Sequence, residues 1–153
     1  MYNLRSNPYN HNNMMLYATS SLEITCNCEE RRLYLRCLTA LSSAEFRQGL
    51  KQALFFAEEH QIKQWLLDLH TIGTLDEEEE IWLHQYIFPR IMMNLGTENY
   101  VAMVLSEKCY LTLLHEAGKF GLQSYNEFII INSFFDVDGA VRWLDKHRLP
   151  YLT

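Results

Sequence analysis

The spacing of apolar and polar residues divides the chain into short strands and longer helices. The run Trp65–Leu69 is apolar except for Asp68 and is short, so it predicts a strand that is covered on both faces. Tyr100–Leu105 and Phe128–Ile131 are two further short apolar runs of this kind. Such runs are typical of a parallel sheet with helices packed above and below it.

The first clear unit is a β-hairpin. Apolar residues alternate with polar ones over residues 22–26 and again over residues 33–37, on either side of a polar turn. Pairing Cys26 with Leu33 puts the apolar residues of both segments on one face and sets opposite charges against each other on the other face. A slip of one residue would break both matches, so the pattern predicts this register.

Helices are predicted where apolar residues recur every three or four positions behind a capping residue. Thr74 and Glu77 fit a capping box, in which each side chain bonds a free amide of the other residue, and Asp76 is the alternative cap. This second helix should end before Gly96, and Pro89 should bend it. Ser42 with Glu45 is predicted to form a second capping box, and the caps predicted for the remaining helices are Ser106 and Asp136.

These elements predict an α/β fold with the order β-β-α-β-α-β-α-β-α. The sheet should be mixed but mostly parallel, with the hairpin as its N-terminal antiparallel part. Residues 1–19 are expected to form a polar tail, with residues 14–19 as a candidate edge strand, and residues 20–153 a single domain, since 153 residues suit one core. The expected core includes Ile24, Leu35, Leu54, Leu66, Leu67, Val101, Val104 and Ile130.

Charge and composition narrow the possible partners and location. The formal net charge is −6 and the basic residues are scattered, so no basic stripe is available for nucleic acid. No apolar run approaches the roughly 20 residues of a membrane span, so no membrane insertion and a cytoplasmic location are expected. The four cysteines are expected to be free thiols. Cys26 and Cys28 lack the second close pair of a structural zinc site.

The segment LLDLHTIGTLDEEEE, residues 66–80, resembles the STAS domain, the family of bacterial anti-sigma-factor antagonists and of the cytoplasmic tails of anion transporters. In that family a strand ends in Asp-Leu-Ser, and Asp-Ser-Ser-Gly with a regulatory phosphoserine begins the next helix. Asp68 and Asp76 match the two aspartates, while Glu77 and Glu78 occupy the serine positions. The resemblance thus implies a regulatory turn formed by these four residues that cannot be phosphorylated.

The chain is also similar to a group of small bacterial STAS-like proteins. The residues that carry this likeness are Trp65-Leu66-Leu67-Asp68-Leu69, Phe88-Pro89-Arg90, Phe134-Phe135-Asp136 and Trp143-Leu144. The resemblance implies a non-catalytic domain for signalling or scaffolding that binds an unknown protein partner, and it brings no catalytic residue. The alternative is a module that binds a lipid or another hydrophobic small molecule.

Two features at the second helix, a possible metal site and an acidic run, can be explained without any bound ligand. Glu80 and His84 share a helix face, and His70 could lie nearby, but the context of a metal motif is missing and we expect no metal or cofactor. The acidic run 76–80 suits the positive end of the helix dipole without any ligand. It would also repel an anionic cofactor.

The second helix is apolar on more than one side. Trp82, Tyr86 and Met93, here called the Trp82 stripe, lie about a third of a turn from the broad face expected to meet the sheet. That broad face contains Ile81, Phe88, Ile91, Met92 and Leu95. Either a neighbouring helix covers the stripe, or two copies of the chain pair through it. We predict a homodimer, because these residue types are enriched at the centres of interfaces.

Overall fold

The computed structural model describes residues 13–148, so the predictions for residues 1–12 and 149–153 lie outside the described residues. The described part is an α/β structure with a mixed sheet of seven strands and five α-helices. The strands are β1 Met14–Ala18, β2 Leu22–Asn27, β3 Arg32–Cys37, β4 Gln64–Asp68, β5 Asn99–Val104, β6 Gln123–Tyr125 and β7 Ile129–Phe134. The helices are α1 Ser43–His60, α2 Glu77–Trp82, α3 Phe88–Leu95, α4 Glu107–Ala117 and α5 Val137–Lys146.

The sheet has the strand order β1-β2-β3-β4-β5-β7-β6. Neighbours from β3 to β7 are parallel, whereas β1, β2 and β3 form an antiparallel unit and β6 runs antiparallel to β7. Cys26 lies opposite Leu33 and Glu23 opposite Arg36, so the predicted hairpin register is confirmed. The expected edge strand is also present, as β1.

The main core lies between one face of the sheet and helices α1, α2 and α3. The parallel strands follow one another across the sheet in chain order, and right-handed crossovers then put all the connecting helices on the same face. Phe46 and Leu50 of α1 and Ile91 of α3 are buried there against Leu67 and Val101. The helices therefore cover the two faces of the sheet unequally.

The opposite face is covered by α5. Its Ala140, Val141 and Leu144 form a smaller core with Tyr34, Leu66, Ala102 and Val104. Asp136 caps this helix as predicted, because its side chain accepts a hydrogen bond of 2.7 Å from the backbone N–H of Gly139. This short amphipathic helix thus covers the smaller core on the second face of the sheet.

Arg32 connects the C-terminal end of α5 to the sheet through a network of buried hydrogen bonds. Its side chain is fully buried and donates to Gln64 at 2.9 Å, to Asp145 of α5 at 2.8 Å and to the Tyr34 hydroxyl at 3.1 Å. Gln64 in turn donates to the backbone carbonyl of Leu144 at 2.8 Å. Each nitrogen of the buried guanidinium therefore has an acceptor, which is the condition for a buried guanidinium to be tolerated.

The second helical segment is not one continuous α-helix. A π-helical turn, Leu83–Ile87, joins α2 to α3, and Phe88 donates its backbone N–H to the carbonyl of Leu83, five residues earlier. The turn lies just before Pro89, which has no N–H to donate. The α-helix is therefore interrupted next to the proline, while the predicted bend stays a prediction, and the helix ends before Gly96 as expected.

In the last third of the chain, one expectation was wrong and one strand was not predicted. Ile130 is only half-buried, whereas Ile129 and Ile131 are buried in the main core, because the strand faces the core with the opposite parity. Strand β6 was not predicted, since its three residues are all exposed and show no apolar alternation. The other seven residues of the predicted core are buried.

Candidate functional site

The carboxyl ends of the parallel strands meet at one edge of the sheet, where ligands and partners of α/β proteins commonly bind. The turn from Leu69 to Asp76 leaves β4 at this edge. Leu69 donates its backbone N–H to Val104 at 2.8 Å, and Ser106 donates to Gly73 at 2.9 Å. These bonds fix the turn against the end of β5 and the start of α4.

Asp68, the first residue of the predicted regulatory turn, is buried rather than displayed. Only 1% of its surface is exposed, and its Oδ1 lies 2.6 Å from Nδ1 of His70 and accepts from the His70 backbone N–H at 3.2 Å. Burial, followed by the negative charge of Asp68, raises the pKa of the Cys37 thiol to about 12. The buried Asp68 carboxylate therefore supports the turn through its contacts with His70, and the half-exposed His70 ring faces solvent.

The predicted capping box of Thr74 and Glu77 is wrong. The helix begins at Glu77 with Asp76 as its capping residue, and the Asp76 side chain makes no capping hydrogen bond. Gly73 adopts φ +96° and accepts the hydrogen bond from Ser106, so Thr74 lies in the turn, two residues before the cap. Asp76, Glu77 and Glu78 are exposed at the amino end of α2, where the helix dipole favours negative charge.

A polar cleft of about 290 Å³ brings together two of the four predicted turn residues. Asp76 and Glu78 line it, whereas Asp68 and Glu77 are not among its lining residues. The other lining residues are Ala40, Leu41, Ser43, Ile72, Thr74 and Glu79. Carboxylates grouped at this opening suit a cationic group of a partner better than an anion.

Glu79 is a site residue that was not predicted from the sequence. It is buried, and its carboxylate accepts a hydrogen bond of 2.9 Å from Arg47 of α1. Burial alone would raise the pKa of Glu79, but hydrogen bonds from Arg47 and Ser43 together with the Arg47 charge hold it below its ordinary value. The signal was present in its spacing, because Glu79 lies four residues from both Leu75 and Leu83, which are buried.

Replacing Glu79 by glutamine should lower the unfolding free energy at pH 7 by about 1 kcal/mol, because Arg47 loses its charged partner while remaining one-third exposed. A carboxyl group with a lowered pKa in the folded state stabilises the protein above the ordinary glutamate pKa, about 4.3. That contribution is lost as the pH falls through the lower folded-state value. Denaturant unfolding at pH 7 and pH 3 should therefore show a smaller acid loss in Glu79→Gln than in the wild type.

Glu78→Gln is the matched control for this prediction, because Glu78 is exposed one residue away. Its unfolding free energy should stay within about 0.5 kcal/mol of that of the wild type at both pH values, because it loses only an exposed charge at the helix start. If Glu79→Gln lost as much stability on acidification as the wild type, the ion pair with Arg47 would not be the source of the acid sensitivity.

The Trp82 stripe is partly covered by α1. The Trp82 ring packs edge-on against Phe46, with ring centres 6.2 Å apart, and the guanidinium of Arg47 lies 5.3 Å from its centre. Tyr86 stacks on Trp82 at 5.3 Å, and Met93 is 78% exposed. The first of the two alternatives therefore holds for Trp82 and Tyr86, while Met93 faces solvent.

The apolar surface of the molecule is concentrated beyond α4. Helix α4 carries no buried residue, although it follows β5 directly at the sheet edge described above. Five large apolar side chains between residues 107 and 136 are exposed, including Phe120, which is 94% exposed. We call this set the α4 surface, and it consists of Leu111, Phe120, Tyr125, Phe128 and Phe135.

A cavity of about 270 Å³ lies between the start of α2 and α4. Its apolar lining comes from Met103 and Leu105 at the end of β5 and from Cys109 and Leu113 of α4. Charged and polar residues also line it, namely Thr74, Glu80, Lys108, Thr112, Glu116 and Ser133. The cavity thus has the apolar body and polar border of a small-molecule site, and it opens at the same sheet edge.

The side chains considered as metal ligands make other contacts. His84 places Nδ1 2.9 Å from the backbone carbonyl of Glu80 and packs edge-on against Phe88, while His70 faces Asp68. Between residues 13 and 148, the structure contains no group of three or more His, Cys, Asp or Glu side chains that could hold a metal ion.

Comparisons with known proteins identify no family for this chain. No protein-family model matches it, and no curated protein and no solved structure matches it either. In the described range 13–148, no helix has both the length and the apolar composition needed to cross a membrane.

Proposed function

We propose that the chain is a non-catalytic STAS-like domain of the cytoplasm that binds another protein, with regulation or scaffolding as its output. The observation that carries the proposal is the α4 surface. Exposed large apolar side chains are common at sites of protein interaction, and α4 leaves all its side chains at least partly exposed. A partner helix or strand that packs against the α4 surface would bury the apolar side chains exposed there.

The charges at the sheet edge indicate the chemistry of the partner. Asp76 and Glu78 open onto the polar cleft, and the chain as a whole has a net charge of −6. A partner with apolar anchors and a rim of lysine or arginine would be complementary to both features. Nucleic acid, with its phosphates, would be repelled.

The STAS resemblance fits the position of the turn. The matching segment leaves a central parallel strand at its carboxyl end and enters a helix, with Glu77 and Glu78 exposed at the start of that helix. These two carboxylates supply permanent negative charge where a phosphoserine would carry it in the family. Glu79, by contrast, is held charged by Arg47, so it is suited to an ion pair rather than to proton transfer.

The test is a comparative pull-down from the native host with three forms of the full chain. The double variant Leu111→Glu, Phe120→Glu removes the α4 surface by changing exposed residues, so it should remain folded. Phe55→Glu is the matched control, since Phe55 is 63% exposed on α1. A partner that is retained by the wild type and the control but lost by the double variant supports the proposal. Equal retention by all three forms contradicts it.

The second candidate function is binding of a lipid or another hydrophobic small molecule. The cavity between α2 and α4 favours it, because Met103, Leu105 and Leu113 give it an apolar lining. Native mass spectrometry of the purified chain should then show a bound small molecule. Leu113→Trp, which fills the cavity, should remove that molecule while leaving the protein pull-down unchanged.

The homodimer stays a prediction, and Met93 is the member of the Trp82 stripe that is exposed enough to lie at its centre. Sedimentation at micromolar concentration should show a dimer for the wild type and a monomer for Met93→Glu. Met15→Glu, at a 52% exposed methionine on β1, is the control and should remain dimeric. A wild-type monomer under these conditions would exclude the dimer.

A further inference from the structure

Strand β7 changes from apolar to polar where it reaches the cavity between α2 and α4. Ile129 and Ile131 of this strand are buried in the main core, and Ser133 follows on the same side, opposite Met103 of β5. Ser133 is half-buried and lines the cavity. A hydroxyl at an inward-facing position contributes little to apolar packing, whereas it can bond a polar ligand.

Helix α4 contributes two neighbouring rows of side chains to the lining of this cavity. Lys108, Thr112 and Glu116 recur every four residues and form a polar row. Cys109 and Leu113 form an apolar row beside it. Because Lys108 and Glu116 are two turns apart, their Cα atoms are separated by about 12 Å along the helix axis. The lining therefore has a positive charge toward one end of α4, a negative charge toward the other and apolar side chains between them.

These two charges oppose the preference of the helix dipole. Lysine is favoured near the carboxyl end of a helix and glutamate near its amino end, but Lys108 is in the first turn of α4 and Glu116 in the last. Glu107 and His115, which are outside the cavity lining, follow the preference. Within residues 13–148, neither Lys108 nor Glu116 forms an ion pair with another side chain. Both charges are therefore available to a bound molecule.

The size and charge of the cavity limit the class of ligand. Its volume of about 270 Å³ is that of about nine molecules of liquid water and is below the roughly 300–1,000 Å³ of sites for drug-sized ligands. Glu80 of α2 also lines it, so two carboxylates and one ammonium group border the cavity. A fatty acid, whose carboxylate is its only charge, would be repelled by this excess of negative charge.

We propose that the cavity binds a small zwitterion in which an apolar chain separates an ammonium group from a carboxylate, that is, an ω-amino acid. The inference rests on the second candidate function, a small molecule in this cavity, and specifies the charges of that molecule. The ligand carboxylate pairs with Lys108 and its ammonium group with Glu116. The methylene chain between them packs on Cys109 and Leu113. An α-amino acid carries both charged groups on one carbon, so it meets only one end of the cavity.

The experiment is a calorimetric titration of the purified full chain with 6-aminohexanoate. Three related compounds are compared with it: hexanoate lacks the ammonium group, hexylamine lacks the carboxylate, and the isomer norleucine carries both charges on one carbon. The wild type should bind 6-aminohexanoate at least about 10-fold more tightly than each of the three. A hydrogen bond between charged groups contributes roughly that factor.

Two variants assign the charged groups of the ligand to their partners. Lys108→Met should weaken binding of 6-aminohexanoate by about 10-fold and remove its advantage over hexylamine. Glu116→Gln should weaken it by a similar factor and remove its advantage over hexanoate. Both residues are exposed, so both variants should remain folded. Lys119→Met and Glu107→Gln are the matched controls, because these exposed residues are outside the cavity lining, and both should bind as the wild type does.

The proposal is overturned if the wild type binds any of the three related compounds as tightly as 6-aminohexanoate, or if a control variant loses as much affinity as Lys108→Met. It is also overturned if the wild type binds none of the four compounds. Native mass spectrometry then separates the two claims. A small molecule that is bound to the wild type and lost in Leu113→Trp would preserve the second candidate function without the zwitterion, whereas a wild type with no bound molecule would remove both.

Discussion

Arg32→Ala should lower the unfolding free energy by about 3–5 kcal/mol, the cost typical of removing one partner from a buried ionic network. The guanidinium is fully buried, and its removal leaves Gln64, Tyr34 and Asp145 without the donor they share. Because Asp145 belongs to α5, the loss should include detachment of that helix from the sheet. Denaturant unfolding measures the free energy.

Two further variants separate charge from volume. Arg32→Met fills much of the same space without the charge, so it should cost less than Arg32→Ala. Arg142→Met makes the same chemical change at an exposed position of α5 and should stay within about 0.5 kcal/mol of the wild type. A loss below 1 kcal/mol in Arg32→Ala would show that α5 is held by its apolar face alone.

Leu67→Ala should cost about 2–5 kcal/mol, because it removes transfer energy and leaves a cavity that the surroundings cannot fill. Leu67 is 2% exposed in β4, which has a strand on either side and packs on the main core. Leu111→Ala is the same substitution at a side chain that is 52% exposed. It should change the unfolding free energy by less than about 0.5 kcal/mol.

The comparison between these two leucines distinguishes burial from residue type. Similar losses at both positions would mean that α4 packs more tightly in solution than its exposed side chains indicate. A negligible loss at Leu67 would contradict the central position of β4.

Much of the sheet could be predicted because its determinants are local. The hairpin register follows from alternation, since a shift of one residue would turn Cys26 and Leu33 away from the core. The caps Ser42, Ser106 and Asp136 each accept the expected hydrogen bond from a backbone N–H three residues later. Each of these predictions depends on residues close together in the sequence.

The predictions that failed depend on partners far away in the chain. Ser42 caps α1, but the Glu45 carboxylate does not return to it and instead accepts from Ser21 at 2.6 Å. Hydrogen bonds from Ser21 and then Thr19 lower the pKa of Glu45. A capping box can be read from spacing, whereas a competing donor on another strand cannot.

The candidate site was predicted in part for the same reason. Asp76 and Glu78 are at the exposed helix start, as the resemblance implied, but Asp68 is buried under His70. Glu79 was overlooked because its partner Arg47 lies on α1, 32 residues earlier. The α4 surface was overlooked because four of its five members lie outside α4 and show no helical or strand period, and only the structure shows that they are exposed.

The π-helical turn determines which side of α2 faces the core when α3 is held in place. One extra residue in the turn shifts the inward positions ahead of it by one, so that Glu79 and Leu83 are buried while Ile81 is 48% exposed. Such a turn is what a one-residue insertion into an α-helix produces. Deleting one residue within Leu83–Ile87 should therefore restore a continuous α-helix that keeps Glu79 on the inward side. If the same residues were instead wound into a continuous α-helix without that deletion, α2 would rotate by about 100° relative to α3. Glu80 would then replace Glu79 opposite Arg47, and the acidic start of the helix would present a different set of carboxylates to any partner.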